Sequence, residues 1–307
     1  MEPRCRVRAL GPHAWAVEGA ELGWLRCVVR ELHAADAASD AAVLHEHPLD
    51  QHLVLRARPD AVPAAATAVA ARLATLEATC DGRRGTARVR GTPPWDYANL
   101  LRRALLTRVP VLACTSAAVS RNDSSASSEV VAHRLGQVAL RAAVGQGVGR
   151  GRLAAESRPA RCSHIRLPEG VELVEDFELA PLRSGEGLQV ELGFAWGVGG
   201  EHAKFDAVAS PEYEPELRVE AGAEALRQAG YDVDAEGCVS HPATRVRAER
   251  LRELVPELAL ASPSYVDVTW ESLGQWTGAE CLELALGRVR AEIEAFVAAL
   301  RELSASS

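Results

Sequence analysis

The sequence YANLLRRALLTRVPVLA, residues 97–113, decides the fold. Its apolar side chains recur at helical spacing and predict a buried helix face formed by Leu100, Leu101, Ala104 and Leu105. Asp96 precedes them as a candidate N-cap, and Pro110 should end the helix near Arg108, because proline cannot continue a helix. The apolar run 111–116 then predicts a strand. A helix followed directly by a strand indicates a chain of mixed α and β structure.

The composition is that of a globular protein with an acidic balance. The 307 residues include 42 acidic and 34 basic side chains, for a formal net charge of −8, and 48% of them are hydrophobic. This length and hydrophobic content can supply one large domain or two ordinary ones. Because a protein that grips nucleic acid needs a basic face, the acidic balance argues against direct DNA binding.

Targeting and membrane signals are not apparent in the sequence. No stretch of eighteen consecutive apolar residues occurs, which argues against a membrane span. No apolar segment follows the arginines near the N-terminus, so we expect no secretion signal. The seven cysteines are odd in number and scattered, a pattern typical of reduced thiols. We therefore expect an intracellular protein in a reducing compartment.

The first part of the chain predicts a compact α/β unit. Periodicity indicates a helix at 21–32, short strands at 41–44 and 52–58, and a helix from Pro63 to Leu76. This second helix carries an apolar stripe at heptad spacing, formed by Val62, Ala66, Val69, Leu73 and Leu76. The turn-rich segment Asp81–Gly85 is the best candidate for a linker to the second part.

The middle of the chain gives weaker signals. A polar loop should follow Ser116, and a short helix is predicted at 129–135 with Gly136 as its left-handed C′ residue. The glycines of 145–151 indicate a flexible connector, because the lysine of a phosphate-binding loop is missing. Strands are expected near Ile165 and Leu173 and at 188–196.

The C-terminal segment has the strongest periodic signal. A strand is predicted at 265–270, and Thr277 with Glu280 forms a capping box that begins a long helix. The apolar stripe of this helix comprises Leu282, Leu286, Val289, Ile293, Phe296, Leu300 and Leu303. The two stripes of the chain either pack against each other or each cover a sheet of their own.

Four ordered motifs resemble the alpha-type subunits of cellular RNA polymerases, which are the bacterial alpha subunit, the archaeal D subunit and the third-largest subunit of RNA polymerase II. Residues 97–113 resemble the helix and strand that open these subunits. EVVAHRLGQVAL (129–140) is similar to the family's "hRLGliPl" segment, and EHAKF (201–205) to its "EHAKW" segment, which here carries Lys204, the one lysine of the chain. VDVTWESLGQWTGAECLELAL (266–286) resembles the closing strand and helix.

The N-terminal part resembles the smaller partner of this pair, the archaeal L subunit or eleventh subunit of RNA polymerase II. ELGWLRCVVREL (21–32) and HEHPLDQHLVLRARPD (45–60) carry the similarity, with His47-Pro48 at the family's His-Pro position. The sequence departs from the family where Gly23-Trp24-Leu25-Arg26 replaces a longer Leu-Gly-Asn-Leu-Leu-Arg segment. The whole chain thus resembles a fused alpha-like heterodimer with the small partner first.

This resemblance implies an α+β fold of two alpha-like dimerisation units packed together. The small unit would span 1–84, the large unit 85–118 and 258–307, and an inserted, mainly β domain 119–257. Packing between the halves would involve Leu22, Leu25, Val69, Leu73, Leu76, Leu286, Val289, Ile293, Phe296 and Leu300. We expect neither a membrane partner nor a need for homo-oligomers.

The implied function is that of a non-catalytic platform on which the largest and second-largest polymerase subunits assemble, joined by small accessory subunits. The catalytic magnesium would belong to those partners. The implied contact residues are Asn99, Leu100, Arg102, Arg103, His133, Arg134, Leu135, Gly136, Glu201, His202 and Lys204. A fused, shortened pair suggests the compact genome of a large DNA virus, with the protein in the nucleus or cytoplasm of the host or packaged in a virion.

Two alternatives involve metal. His45, His47 and His52 lie close in sequence, but satisfied or exposed histidines are the simpler interpretation. Cys162 and His164 together with Cys238 and His241 have the ligand types of a zinc site and would suit a free-standing metal-binding or redox domain. Only one residue separates Cys162 from His164, and the two pairs lie far apart in sequence, so we expect no bound cofactor.

Overall fold

The computed structural model describes residues 6–11, 14–18, 24–35, 43–46, 52–57, 61–91, 94–241 and 246–305. Leu22, Gly23 and His47 lie outside the described residues, as do the side chains of His45 and His52. Helices and antiparallel sheets both contribute, which confirms the α+β fold class. Among the described residues, no helix combines the length and the apolar composition that a membrane-spanning helix requires.

The first unit is a four-stranded antiparallel sheet with two helices. In chain order its elements are β1 (Arg6–Gly11), β2 (Ala14–Glu18), α1 (Trp24–Ala35), β3 (Val43–Glu46), β4 (His52–Arg56) and α2 (Val62–Ala74). The strands lie in the order β1-β2-β4-β3. Both predicted helices and both predicted strands of this unit are present with shifted bounds: α1 continues to Ala35, β3 continues to Glu46, and α2 ends at Ala74 rather than at Leu76. The hairpin β1-β2 was not predicted.

The next elements lead into a β-rich region. They are β5 (Glu77–Asp81), β6 (Arg84–Arg90), α3 (Trp95–Thr107), β7 (Pro110–Asn122), α4 (Ser128–Gly136), β8 (Leu140–Arg141), β9 (Gly149–Glu156), β10 (Ala160–Arg161), β11 (Ile165–Arg166), β12 (Glu172–Leu173), β13 (Glu178–Ala180) and β14 (Gly187–Val198). β11, β9, β14 and β7 form one antiparallel sheet in that order. A 3-10 turn, Cys162–His164, precedes β11, and another, Ala203–Phe205, follows β14.

The remaining elements close the structure. They are β15 (Val208–Pro215), β16 (Val219–Ala221), α5 (Ala223–Gln228), β17 (Asp232–Val233), β18 (Val239–Ser240), α6 (Ala248–Leu254), β19 (Ala259–Leu260), β20 (Tyr265–Ser272) and α7 (Gly278–Ala305). The sheet order β15-β20-β6-β5 joins strands from distant parts of the sequence. The predicted capping box is confirmed, because the Thr277 N–H donates to Glu280 Oε2 at 2.7 Å and the Glu280 N–H donates to Thr277 Oγ1 at 3.2 Å.

The same topology occurs twice in the chain. In the first unit a hairpin (β1-β2), a helix (α1), a second hairpin (β3-β4) and a helix (α2) follow one another. β5-β6, α3, β15-β20 and α7 repeat this series, with insertions after α3 and between β15 and β20. The sheet orders β1-β2-β4-β3 and β5-β6-β20-β15 correspond strand for strand. The chain therefore contains two units of one architecture.

One apolar core crosses the boundary between these units. Helix α1 contacts α2 and α3, and α7 contacts α2, α3 and β1. The buried cluster takes Leu25, Val69 and Leu73 from the first unit and Val289, Ile293, Phe296 and Leu300 from α7. The inserted β-rich region has a separate core, and a small third core contains Leu226, Leu251, Val255 and Leu258.

The strand pairing corrects the predicted boundaries. The predicted linker Asp81–Gly85 is wrong, because β5 and β6 pair across a tight turn at Gly82, whose φ of +54° favours glycine. A boundary at 84/85 would cut this hairpin, and one at 118/119 would cut β7. Strand β15, which falls within the predicted insertion 119–257, belongs to the sheet of the second unit.

Several local predictions also need correction. Asp96 is not the N-cap of α3: it lies in the first turn, and Pro94 is the cap. Gly136 is the last helical residue of α4, with Gln137 as the C-cap, so it is not a left-handed C′ residue. β7 continues to Asn122, where a loop was expected after Ser116. The connector expected at 145–151 ends in β9, which begins at Gly149.

Candidate interaction surface

Some polar side chains of helix α3 make contacts within the protein, and another is exposed to solvent. Tyr213 on β15 donates its hydroxyl proton to Asn99 Oδ1 at 2.8 Å, and Arg102 Nε donates to the Tyr213 hydroxyl at 2.9 Å. The Arg102 guanidinium also lies over the Tyr213 ring at 5.4 Å. Leu100 is buried, whereas Arg103 is exposed. Asn99 and Arg102 therefore hold β15 in place, and Arg103 is the residue of this motif that faces solvent.

Helix α4 presents three charged or titratable side chains, of which Glu129 lies in the first turn. His133 and Arg134 are exposed, while Leu135 is buried in the core of the inserted region. Arg134 Nη1 donates to the Leu179 carbonyl at 2.8 Å, which ties the helix to β13. The N-terminus of α4 is capped by Ser127, whose hydroxyl accepts from the Val130 N–H at 3.4 Å. His133 is therefore presented on a helix that is fixed at both ends.

The segment Glu201–Lys204 forms an exposed turn on the end of α3. Glu201 and His202 are exposed, and His202 Nδ1 accepts from the Lys204 N–H at 3.1 Å. The turn approaches α3 so closely that a Cβ at Gly199 would lie 2.1 Å from the Leu106 carbonyl oxygen. Only glycine fits there, because any larger residue would displace the helix end or the turn.

Strand β7 connects the three motif segments. Helix α3 leads directly into it, α4 packs on it, and the turn Ala203–Phe205 contacts it. Cys114 on β7 marks the meeting point, since Gly136 lies beside its carbonyl and the charge of Lys204 acts on its thiol. Burial raises the pKa of this thiol, and Lys204 opposes the rise. Motifs that are distant in sequence thus adjoin one strand.

The contact between the two units is formed mainly by apolar side chains. Leu76 and Leu286 pack at the edge of the shared core, and the other predicted packing residues inside the described ranges are buried in it. Trp24 meets Phe296 edge to face with ring centroids 5.0 Å apart. No polar side chain of this contact was predicted from the sequence.

A polar group nevertheless lies at the partly exposed edge of that contact. Glu31 Oε1 accepts the Tyr97 hydroxyl proton at 2.5 Å and an Arg72 Nη1 proton at 3.0 Å, and the Arg72 guanidinium lies 4.8 Å from the Tyr97 ring centre. Burial and the hydrogen bond to Glu31 raise the pKa of Tyr97. Arg30 forms an ion pair with Asp96 beside this group. In the sequence these residues appear only as isolated polar positions beside apolar helix faces, which does not indicate that they contact one another.

The two pairs of candidate zinc ligands lie in different parts of the fold. Cys162 is buried in the core of the inserted region, and His164 Nδ1 accepts from the Arg161 N–H at 3.2 Å. The Cys238 thiol donates to Glu216 Oε1 at 3.7 Å, and the His241 ring lies 5.2 Å from the Tyr231 ring. Among the described residues, no group of three or more histidine, cysteine or acidic side chains could hold a metal ion.

No protein-family model matches the chain. The DNA-directed RNA polymerase subunit Rpo3 of Methanosphaera stadtmanae is 25% identical over 154 residues, which cover 42% of this chain and 56% of that protein. Rpo3 of Methanocaldococcus jannaschii is 25% identical over 122 residues, which cover 36% of this chain and 60% of that protein.

The chain spans less than two thirds of the length of these curated relatives. The similarity is distant, and it supports the alpha-like subunit family of RNA polymerases as the class to which the fold corresponds. It does not favour a free-standing metal-binding or redox domain.

Proposed function

We propose that the chain is a non-catalytic assembly subunit of a multisubunit DNA-directed RNA polymerase and a fused alpha-like heterodimer. One observation carries the proposal: two units of the same hairpin–helix–hairpin–helix topology share a single core within one chain that is similar to Rpo3. In this proposal the first unit acts as the small partner and the second, with its insertions, as the large one.

Fusion has a physical consequence for assembly. It replaces the association of two chains by an intramolecular contact, at an effective concentration on the order of millimolar for a short linker. The segment between α2 and β5 consists of Thr75 and Leu76, so the two units are held close together. A preformed pair offers its docking surface without a prior dimerisation step.

The docking surface proposed for the two large subunits comprises the segments around β7. Its exposed polar side chains include Arg103, His133, Arg134, Glu201 and His202. Arginine suits such a surface because its planar guanidinium can bind a carboxylate with two hydrogen bonds. Magnesium-dependent nucleotidyl transfer is assigned to the partner subunits, and small accessory subunits complete the complex. The proposal requires neither DNA binding by this chain nor a homo-oligomer, and places the complex inside the cell.

Co-purification tests the proposal. The full chain, tagged and expressed in its native cells, should bring down two polypeptides of the size of polymerase large subunits, identified by mass spectrometry. Arg103→Glu should reduce their recovery several-fold, because it reverses a charge at the proposed contact. Arg252→Glu, an equal charge change at an exposed position on α6, which packs in the separate third core, should leave recovery unchanged. A tagged chain that purifies without large partners would refute the proposal.

A further inference from the structure

The sheet of the inserted region carries three exposed arginines on its solvent face. Arg150 and Arg152 lie two residues apart on β9 and therefore point to the same side. Arg166 on β11 stands directly opposite Arg152 in the antiparallel register. The other face of these strands is occupied by Leu153 and Ile165, which are buried. The three guanidinium groups thus share one surface.

The facing arginines Arg152 and Arg166 should destabilise the chain when no partner is bound. Like charges placed directly across two antiparallel strands are destabilising. In the part of the chain that the structure describes, no carboxylate lies within ion-pair distance of Arg150, Arg152 or Arg166. Glu191 is the neighbour of Arg152 on β14, but the two form no ion pair. Among the described residues the three arginines are therefore not ion-paired, and Glu191 is the carboxylate that stands beside them.

Several other arginines on the strands form ion pairs. On the sheet of the second unit, Arg88 binds Asp267 at 2.7 Å and Arg90 binds Glu77 at 3.0 Å. On the inserted sheet itself, Arg121 binds Glu156 at 3.3 Å. In a chain with more acidic than basic residues, partners are available. The arginine face differs from these strands in having no such pair.

Small residues occupy the positions beside Arg150 on the neighbouring strands. Gly193 stands next to Arg150 across β9 and β14, and Ser116 stands next to Gly193 across β14 and β7. The fit is tight, because a Cβ at Gly193 would lie 2.4 Å from Ser116 Oγ. Small residues at these positions leave room for an extended backbone to lie across the sheet.

We infer that this arginine face binds an extended acidic segment of a partner polypeptide. Carboxylates at alternate residues of an extended chain lie about 7 Å apart, the same repeat that separates Arg150 from Arg152. Guanidinium groups bind carboxylates through two parallel hydrogen bonds. The site holds only three positive charges, with Glu191 among them, and the whole chain is at −8, so it suits a short acidic peptide better than a long polyanion. This inference does not depend on the polymerase assignment.

Fluorescence anisotropy with the whole chain tests whether the arginine face binds an acidic peptide. The probe is a labelled decapeptide of alternating serine and glutamate, and the reference probe has glutamine in place of glutamate. The acidic peptide should bind at least about tenfold more tightly than the neutral one, and the triple variant R150Q/R152Q/R166Q should lose that advantage. The matched control R84Q/R227Q/R250Q, which removes three exposed arginines elsewhere, should bind within about twofold of the native chain.

A melting experiment and an oligonucleotide-binding experiment distinguish peptide binding from a structural role of the arginines and from nucleic-acid binding. The triple variant should melt at the same temperature as the native chain or higher, because it relieves the repulsion between Arg152 and Arg166. A lower melting temperature would make the arginines structural and overturn the proposal. Equal binding of the two peptides would also overturn it, as would preferential, arginine-dependent binding of a ten-nucleotide oligoadenylate, which would assign the face to nucleic acid.

Discussion

The indole ring of Trp24 packs edge to face against the phenyl ring of Phe296, with their centroids 5.0 Å apart. Trp24 begins α1 in the first unit, and Phe296 lies in α7 at the other end of the chain. Both side chains are fully buried. The contact therefore links the two units at the centre of their shared core, and the folding of each unit should depend on the other.

Removing this ring should destabilise the whole protein in one transition. Phe296→Ala should lower the free energy of unfolding by about 3–5 kcal/mol, the usual range for deleting a buried aromatic ring. Glu294→Ala, on the exposed side of the same helix, should change it by less than about 0.5 kcal/mol. Urea unfolding followed by tryptophan fluorescence and by circular dichroism measures both. Separate transitions by the two probes would show that the units fold independently.

A protease site between the units should not separate them. The shared core and the Glu31–Tyr97–Arg72 contacts should hold the fragments together after cleavage in a site inserted at Thr75–Leu76. Gel filtration of the cleaved protein in dilute buffer should show one peak containing both fragments. The uncut insertion variant is the control for any effect of the added residues. Two peaks at native pH would mean that the covalent link is required.

The sequence predicted helix α7 well but did not predict the β5-β6 hairpin. The periodic stripe and the capping box of α7 are local signals, so the helix was predicted nearly at its observed bounds. Glu77–Asp81 has no apolar alternation, since four of its five residues are exposed. Turn residues at Gly82 suit a linker as well as a hairpin, and only pairing with β6 distinguishes them.

The arrangement of the candidate surface likewise depends on contacts between segments that are far apart in sequence. Each of its motifs could be recognised in isolation, but their convergence on β7 depends on pairing between β7 and β14, which are far apart in sequence. Gly151 was expected in a connector and lies in β9. A Cβ there would come 2.6 Å from the Phe194 ring, a requirement that only the tertiary structure reveals.

Alkaline pH should weaken the contact between the units through Cys27. Burial in the shared core, followed in size by the charge of Asp96, raises the pKa of this thiol from 9.0 to about 12. The unfolded chain therefore loses the Cys27 proton near pH 9 while the folded protein keeps it. The stability that this group contributes is present below pH 9 and is lost as the pH rises towards 12, at up to about 1.4 kcal/mol per pH unit.

Cys27→Ala should make the stability less sensitive to pH in that window. The difference in unfolding free energy between the native chain and the variant, measured in urea at intervals from pH 8 to pH 11, should shrink as the pH rises. The variant Cys80→Ala is a useful control, because this thiol is only partly buried and its pKa is raised less. A difference that is constant across the window would contradict the raised pKa of Cys27.

Removing one partner of the ion pair between Arg108 and Glu292 should destabilise the protein more than removing both partners. Both side chains are nearly buried, and within the described residues Glu292 Oε2 has no hydrogen-bond partner. Glu292→Leu should cost about 3–5 kcal/mol of unfolding free energy, because it leaves a buried guanidinium without its carboxylate. The double variant Arg108→Met/Glu292→Leu removes both charges from the junction of α3 and α7, so it should recover most of that loss. Urea unfolding of the native chain, both single variants and the double variant gives the coupling energy, and losses that simply add would contradict this account.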